Sequence, residues 1–437
     1  MSRATVVVVN YNGAHLLPAC LEALRKQTVD DVLTWVVDNA STDGSRELLA
    51  RDFPEVRVLA NPDNLGFAGG NNTALVQVTT HYAVLLNNDA APAPDWLERL
   101  LAPFDDDDRL AAVTSKVLFQ PRFLPVELTT TGFSPGAHDP RVLGLRIAAL
   151  LVDGEDVTDQ VLWERLTYGP EGDGTGRFRW TRPSGQLLVP VTREGAHDVT
   201  VRWAAETAKT AVLAGHPLPV TGELTEVTVS LPAGSPTVDV VNNVGSMVFR
   251  TGYGADRGYQ EIDVGQYDEP VEVFAMCGCA VAFRTAAGRE LGWFDEDFFL
   301  YYEDTDLSWR LRAAGWAIRY EPTAVVRHIH AATSIEWSPR FVFHTDRNRL
   351  LMLVKNASLP MALREVGRYP LTTASIAVRA VREAATTRRR PAVRPTLMRL
   401  SVLRSFLRLL PAMLVKRSRS QHVVHRRELE HWLVTSR

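Results

Sequence analysis

The chain has 437 residues, 46% of them hydrophobic and 23% charged, with a formal net charge of −3. That length predicts two or three domains, and no run approaches the roughly 18 consecutive apolar residues that a membrane-spanning helix needs. Three cysteines (Cys20, Cys277, Cys279) exclude a disulfide framework and fit a reducing cytosol.

The small net charge hides an asymmetry. From Lys355 onward there are 18 Lys/Arg and 4 Glu, which leaves 30 basic and 47 acidic groups on the first 354 residues. A basic tail on an acidic body implies an anionic partner for the tail, either a membrane surface or nucleic acid. The tail has few aromatics for base stacking and no nucleic-acid module, so nucleic acid is set aside.

In chain order, Val6–Val9 open a β-branched run that ends in Asn10. The run is too short for the apolar core of a secretory leader, so a cytoplasmic location is expected. Residues 1–120 then alternate strands with helical stretches: Ala14–Gln27, Gly44–Asp52, Gly70–Thr79 and Asp95–Phe104, with Ser45 and Asp95 as capping candidates. This βαβα order predicts a doubly wound α/β sheet. Three apolar runs end in polar groups, at Asn10, at Asp38 and at Asn87-Asn88-Asp89. Ligands of such sheets bind beyond the carboxyl ends of the strands, so Asn10, Asp38 and Asp89 are expected on one rim. Asn64–Asn71 is Gly-rich and opens a helix whose free N–H groups suit a phosphate, but it fits neither the dinucleotide nor the P-loop pattern.

Residues 121–238 lose helical period. Short runs at Leu143–Val152, Phe178–Trp180, Gln186–Val191, Val199–Trp203 and Glu226–Leu231 predict a β-rich, sandwich-like insertion. The α/β domain resumes over 239–354, with helices at Thr285–Gly292 and Asp304–Gly315. Cys277-Gly278-Cys279 lacks a second ligand pair and reads as two small strand residues rather than a metal or redox site. The remainder, 355–437, is helical and basic. Within it Leu400, Leu403, Phe406, Leu407 and Leu410 share a face opposite Ser401, Arg404, Ser405 and Arg408, as in a helix lying on an anionic membrane; packing on the protein body is the other reading.

Two further clusters carry chemistry. Gly292–Trp316 sets Asp295, Glu296, Asp297, Glu303, Asp304 and Asp306 among aromatics. Acids at a helix N-terminus stabilise its dipole, but a carboxylate flanked by Phe298, Phe299, Tyr301 and Tyr302 is desolvated and suits a general base. In Ala324–Ser334, His328 and His330 alternate along a strand and, with Asp89, offer mixed nitrogen and oxygen ligation to Mn²⁺ or Mg²⁺.

Taken in order, NYNG, VVDNASTDGS, NLGFAGGNN, LLNNDA, GWFDEDFFLYYEDTDLSWR, VVRHIHAATS and RNRL resemble the family 2 glycosyltransferases of GT-A fold, in their rhamnosyltransferase and galactofuranosyltransferase branch. The motifs span residues 1–120 and about 240–355. The resemblance implies a Rossmann-like nucleotide-sugar domain. It assigns Asp38 to the nucleotide, with Asn10, Asn64, Gly66 and Asn88 lining that pocket. Asp89 takes the place of the last acid of the D-x-D motif, whose first acid is here Asn87. His328 corresponds to a further metal ligand, with His330 as competitor. Asp304 falls at the catalytic base and Glu303 at the acceptor contact. Single displacement with inversion follows, from dTDP-L-rhamnose or UDP-galactofuranose to a lipid-linked or polysaccharide acceptor of the cell envelope, at the inner membrane face. No Q-x-x-R-W element of processive synthases is present. A nucleotidyltransferase would need a basic Gly-rich loop, and a non-catalytic glycan binder would work through the insertion.

Overall fold

Val6, Val7 and Val8 are fully buried in strand β1 (Ala4–Asn10), as a β-branched run is when helices cover both faces of a sheet. The same holds for β4 (Tyr82–Leu86), buried at every position. This computed structural model describes all residues except 1, 137–138, 164–165, 173–176, 206–209, 220–221, 330–337, 388–389, 421 and 436–437. It divides into two compact units: Met1–Leu118 with Val241–Tyr259 and Val264–Arg437, and Phe119–Val240 with Gln260–Asp263.

The first unit alternates β1, α1 (Leu17–Arg25), β2 (Val32–Asp38), α2 (Ser45–Asp52), β3 (Arg57–Ala60), α3 (Gly66–Leu75) and β4. There follow β5 (Ala90–Pro92), α4 (Trp96–Leu101), β6 (Leu110–Phe119), β7 (Val241–Asn243), β8 (Val271–Glu272), β9 (Ala280–Arg284), α5 (Thr285–Glu290), α6 (Glu303–Ala313) and β10 (Ala317–His328). The sheet order is β8-β10-β6-β9-β4-β1-β2-β3, with β7 on β6 and β5 on β10. From β4 through β1 and β2 to β3 it is parallel, whereas β9 runs antiparallel to β4 and β6. The doubly wound sheet is therefore mixed. Strand order reverses between β1 and β4, the switch point where a ligand crevice opens.

Some local expectations change. The left-handed Gly44, φ +84°, and not Ser45, precedes the first turn of α2, and the Ser45 hydroxyl instead donates to Asp43. Asp95 precedes α4 but pairs with Arg99 rather than with a backbone N–H. Helix α3 begins at Gly66, four residues before the expected start.

Residues 355–437, set apart in the sequence by charge, share this unit. Helices α7 (Pro339–Asn356), α8 (Leu359–Thr387) and α9 (Arg394–Arg419) bury Leu350–Val354, Tyr369, Val402, Phe406 and Met413 in one cluster. The expected apolar face of α9 is split. Phe406 packs inward, while Leu400 and Leu407 stay 49% and 60% exposed. The residues that pack, Val402, Phe406 and Met413, lie about 130° around the helix from Leu400 and Leu407. No helix among the described residues is long and apolar enough to cross a membrane.

The second unit holds two antiparallel sheets over one core. One contains Thr167–Gly172, Arg177–Thr181, Arg146–Val152, His197–Ala204 and Thr225–Leu231, and the other Ser184–Val191, Arg122–Thr130 and Ala211–Leu213. Alternate residues of one strand, Leu124, Val126 and Leu128, point inward and meet Leu150, Leu187, Val201 and Trp203 in that core. Arg122–Thr130, unmarked as a strand by the sequence, pairs along Ser184–Val191.

Candidate active site

The carboxyl ends of β1, β2 and β4 converge. Asn10 is opposite Asp38 in the β1–β2 register. Asn88 Nδ2 donates to Asn10 Oδ1 at 2.9 Å, and Asn10 Nδ2 donates to the hydroxyls of Ser41 and Ser45 at 3.1 and 2.9 Å. The Gly13 position lies so close to Asn10 and Asn88 that a Cβ there would stand 2.4 Å from Asn88 Nδ2. Asp38 has no exposed surface. Its Oδ2 accepts from Arg46 Nε at 2.6 Å, while Oδ1 has no hydrogen-bond partner. A buried carboxylate oxygen left open is costly unless something completes it, and a ribose hydroxyl or a base N–H has the right chemistry.

Asn39, missed by the sequence reading, ties the neighbouring loop together. Its amide donates to Asn64 Oδ1 and the Gly66 carbonyl, and its Oδ1 accepts from Asn61 Nδ2 and the Leu65 N–H. Asn64 Oδ1 also accepts from the Gly66 N–H at 2.9 Å, so that oxygen is used within the loop. Gly66 needs to be glycine for two reasons: φ is +71°, and a Cβ would meet the Phe299 carbonyl at 2.2 Å. The N–H groups of Phe67 and Ala68 donate to that same carbonyl at 2.7 and 3.3 Å. The expected phosphate-facing N–H groups at this helix start are therefore already satisfied.

In the turn between β4 and β5, Asp89 faces His328 from the end of β10, with His328 Nε2 3.1 Å from Asp89 Oδ1. Asp89 Oδ1 takes no hydrogen bond even so. His328 Nδ1 lies 3.1 Å from Asn242 Oδ1. An amide oxygen can only accept, so this contact assigns the proton to Nδ1 and turns the Nε2 lone pair toward Asp89. An open carboxylate oxygen beside an imidazole nitrogen oriented from behind is a fitting pair of ligands for a divalent cation, with the remaining positions left to diphosphate oxygens and water. No cluster of three or more His, Cys, Asp or Glu suited to a metal occurs among the described residues. His330 lies outside them.

Cys277-Gly278-Cys279 joins this rim to the second acidic cluster. Asn87 N–H donates to the Cys279 carbonyl at 2.8 Å, and Gly278 N–H donates to Asp304 Oδ2 at 3.2 Å. Burial drives both thiols well above their ordinary pKa, which disfavours the thiolate that ligation or nucleophilic attack needs. Asp304 Oδ1 accepts from Thr305 N–H at 2.6 Å. Desolvation nevertheless raises the Asp304 pKa above the ordinary carboxylate value. Glu303, 5% exposed and with Oε2 unpartnered, is raised further, by burial first and the Asp304 charge second.

The loop before these acids is held under strain. Phe299, Tyr301 and Tyr302 have φ of +65°, +68° and +71°, a region that costs a non-glycine residue on the order of 1 kcal/mol or more. The RNRL motif supplies the restraint. Fully buried Asn348 reaches the carbonyls of Phe298, Leu300 and Tyr301 at 2.9, 2.8 and 2.7 Å, and Arg347 reaches those of Asp297 and Phe298. Asp295, Asp297 and Asp306 are not free for chemistry. Lys355 bridges Asp295 and Asp306, and Lys416 bridges Asp295 and Asp297. Part of the tail's positive charge is thus neutralised inside the protein.

A doubly wound, largely parallel α/β sheet with a polar rim at its switch point is the GT-A fold of glycosyl-transferring enzymes. Residues 5–143 match the family described as Glycosyl transferase family 2. The chain is 42% identical over 339 residues to the N-acetylglucosaminyl-diphospho-decaprenol L-rhamnosyltransferase of Mycobacterium tuberculosis, covering 76% of this chain and 78% of that protein. The chain belongs to glycosyltransferase family 2. It is also 29% identical over 132 residues to the teichoic acid poly(glycerol phosphate) polymerase of Staphylococcus epidermidis, 29% of this chain and 18% of that one. Against the pre-mycofactocin glycosyltransferase of Mycobacterium tuberculosis the identity is 32% over 124 residues, 25% of this chain and 26% of that one. The chain thus spans about a quarter or less of the length of these two relatives.

Proposed function

We propose that this chain is an inverting, metal-dependent glycosyltransferase that moves L-rhamnose from dTDP-L-rhamnose to a sugar on a lipid diphosphate of the cell envelope. The observation that carries the reaction type is the short bridge through Cys277–Cys279, which sets a desolvated Asp304 beside the Asp89–His328 rim. The choice of sugar and acceptor rests on the relative whose name gives both.

In this reading Asp38 Oδ1 accepts from the base or ribose, and the Asn10–Asn88 pair shapes the pocket floor. Asp89 and His328 would hold Mg²⁺ or Mn²⁺, which when bound neutralises the departing nucleoside diphosphate. Asp304 takes the proton of the acceptor hydroxyl as its oxygen forms the new bond at the anomeric carbon and the nucleoside diphosphate leaves. Its raised pKa suits a base working near neutral pH. With Asp304 as the base and Glu303 on the acceptor, the reaction is a single displacement that inverts the anomeric centre. Glu303 contacts the acceptor. Exposed Leu371, Val378 and Val381 on α8, and Leu400 and Leu407 on α9, lie among arginines and support peripheral contact with an anionic membrane on its inner face.

The test is binding and turnover of a donor panel with and without Mn²⁺ or Mg²⁺. Metal-dependent selection of dTDP-L-rhamnose is expected. Selection of UDP-galactofuranose would overturn the sugar assignment, and binding of no sugar nucleotide would overturn the reading.

A further inference from the structure

A cavity of about 290 Å³ lies away from the acid–imidazole rim, lined by Thr251, Tyr253, Arg349, Glu365, Arg368, Tyr369, Thr372 and Arg399. Its position follows from α7, α8 and α9, which contribute Arg349, Tyr369 and Arg399. Its fourth side is the segment Thr251–Tyr253. That segment is fastened to the catalytic loop, because Tyr302 Oη bonds both the Gly252 carbonyl and the Gly254 N–H, at 3.3 and 3.0 Å. Tyr302 is two residues before Asp304.

The lining is basic beyond its internal needs. Glu365 is answered by Arg364 at 2.8 Å. Asp346, beneath the cavity, accepts the hydroxyls of Tyr253 and Tyr369 at 2.9 and 2.7 Å and lies 3.6 Å from Arg399. Arg349 is 4% exposed. Its Nη1 donates to the Thr251 carbonyl, but its Nε has no partner. Arg368, exposed on α8, has no ion pair or hydrogen bond among the described residues. Arg349, set over the Tyr253 and Tyr369 rings, and the unpaired Arg368 line the same cavity, and two guanidiniums there suit an anion with several oxygens. Outside the lining, the same two helices expose apolar side chains: Leu371 on α8 is 72% exposed and Leu400 on α9 is 49% exposed, each one residue from a lining residue.

We infer that this cavity binds the diphosphate of an isoprenoid diphosphate, with the start of the hydrocarbon chain lying over Leu371 and Leu400. The inference deepens the glycosyltransferase reading by assigning a separate holding point for the lipid end of the acceptor, on the segment that Tyr302 ties to the base. Arg349 and Arg368 carry the anion, while Arg399 is fixed by Thr372, Thr373 and Tyr369 and forms the wall.

The experiment is calorimetric titration of the full chain with farnesyl diphosphate, farnesol and inorganic pyrophosphate. Farnesyl diphosphate should bind at least about tenfold more tightly than either of the others, since each lacks one half of the recognition. Arg368→Gln, an exposed substitution that disturbs no internal bond, should weaken it about tenfold or more. Asp89→Ala should leave it unchanged. Equal affinity for pyrophosphate would assign the cavity to a free anion and overturn the proposal. So would unaltered binding in Arg368→Gln, or binding lost with Asp89→Ala, which would place the lipid diphosphate in the donor pocket. If farnesyl diphosphate binds as expected but no sugar nucleotide does, the glycosyltransferase reading fails and this site stands.

Discussion

Replacing Asp306 with alanine should destabilise the first unit by about 3–5 kcal/mol, the range for breaking a buried ion pair. Asp306 is fully buried and accepts from Lys355 Nζ at 2.9 Å, Arg310 Nε at 2.9 Å and Asn356 Nδ2 at 2.8 Å. Arg310 retains the carbonyls of Leu291 and Trp293, and Lys355 retains Asp295, so neither cation is wholly stranded. That places the loss toward the lower end of the range. The pH signature is specific. Burial opposes the charged form of Asp306, but the surrounding Lys355 and Arg310 charges more than offset it and hold the pKa at about 2. A depressed carboxylate contributes stability that is complete above its unfolded value near 4 and disappears as pH falls through its folded value. Chemical denaturation followed by tryptophan fluorescence should thus separate parent and variant fully at pH 7 and progressively less below pH 4. A difference under about 1 kcal/mol at pH 7, or one that does not shrink in acid, would refute the reasoning.

Gly278→Ala would put a Cβ 3.2 Å from the Phe67 ring and 3.5 Å from Asp304 Oδ2. Transfer should slow by about tenfold or more while donor affinity holds, as initial rates and donor titration would reveal. Asn242→Ala removes the acceptor that orients His328, and Mn²⁺ affinity measured by calorimetry should fall about 10- to 100-fold. Glu303 has a raised pKa, so the cost of its charge grows as pH rises above the ordinary carboxylate range. Glu303→Gln should consequently raise the melting temperature at pH 8 more than at pH 4.

The parts of the site readable in the sequence were those whose chemistry is local. Asn10 and Asp38 are the last residues of β1 and β2, and Asp89 lies in the turn that follows β4, so each is delivered to the sheet rim by the apolar run before it. The roles of Asn39, Asn242, Gly278 and Asn348 had no local signal. Asn242 acts on His328, 86 positions away, and Asn348 acts on carbonyls 47 to 50 positions away. Such roles exist only after the chain has folded. The tail illustrates the converse. Its charge was plain in the sequence, but the pairing of Lys355 and Lys416 with buried acids depends on α7 and α9 docking on the body. The strand Arg122–Thr130 was obscured by Pro125, which the ladder with Ser184–Val191 accommodates.

The most direct test of the central claim compares the parent chain with Asp304→Asn, using dTDP-L-rhamnose and a prenyl-diphosphate-linked N-acetylglucosamine as acceptor. The amide keeps the size of the side chain but cannot take the acceptor proton. The account gives near-parental donor affinity with transfer slowed about 100-fold or more, or about 2.7 kcal/mol in the barrier. It also gives a parental rate that rises with pH through the raised Asp304 pKa. Transfer by Asp304→Asn at a rate within about threefold of the parent would contradict it.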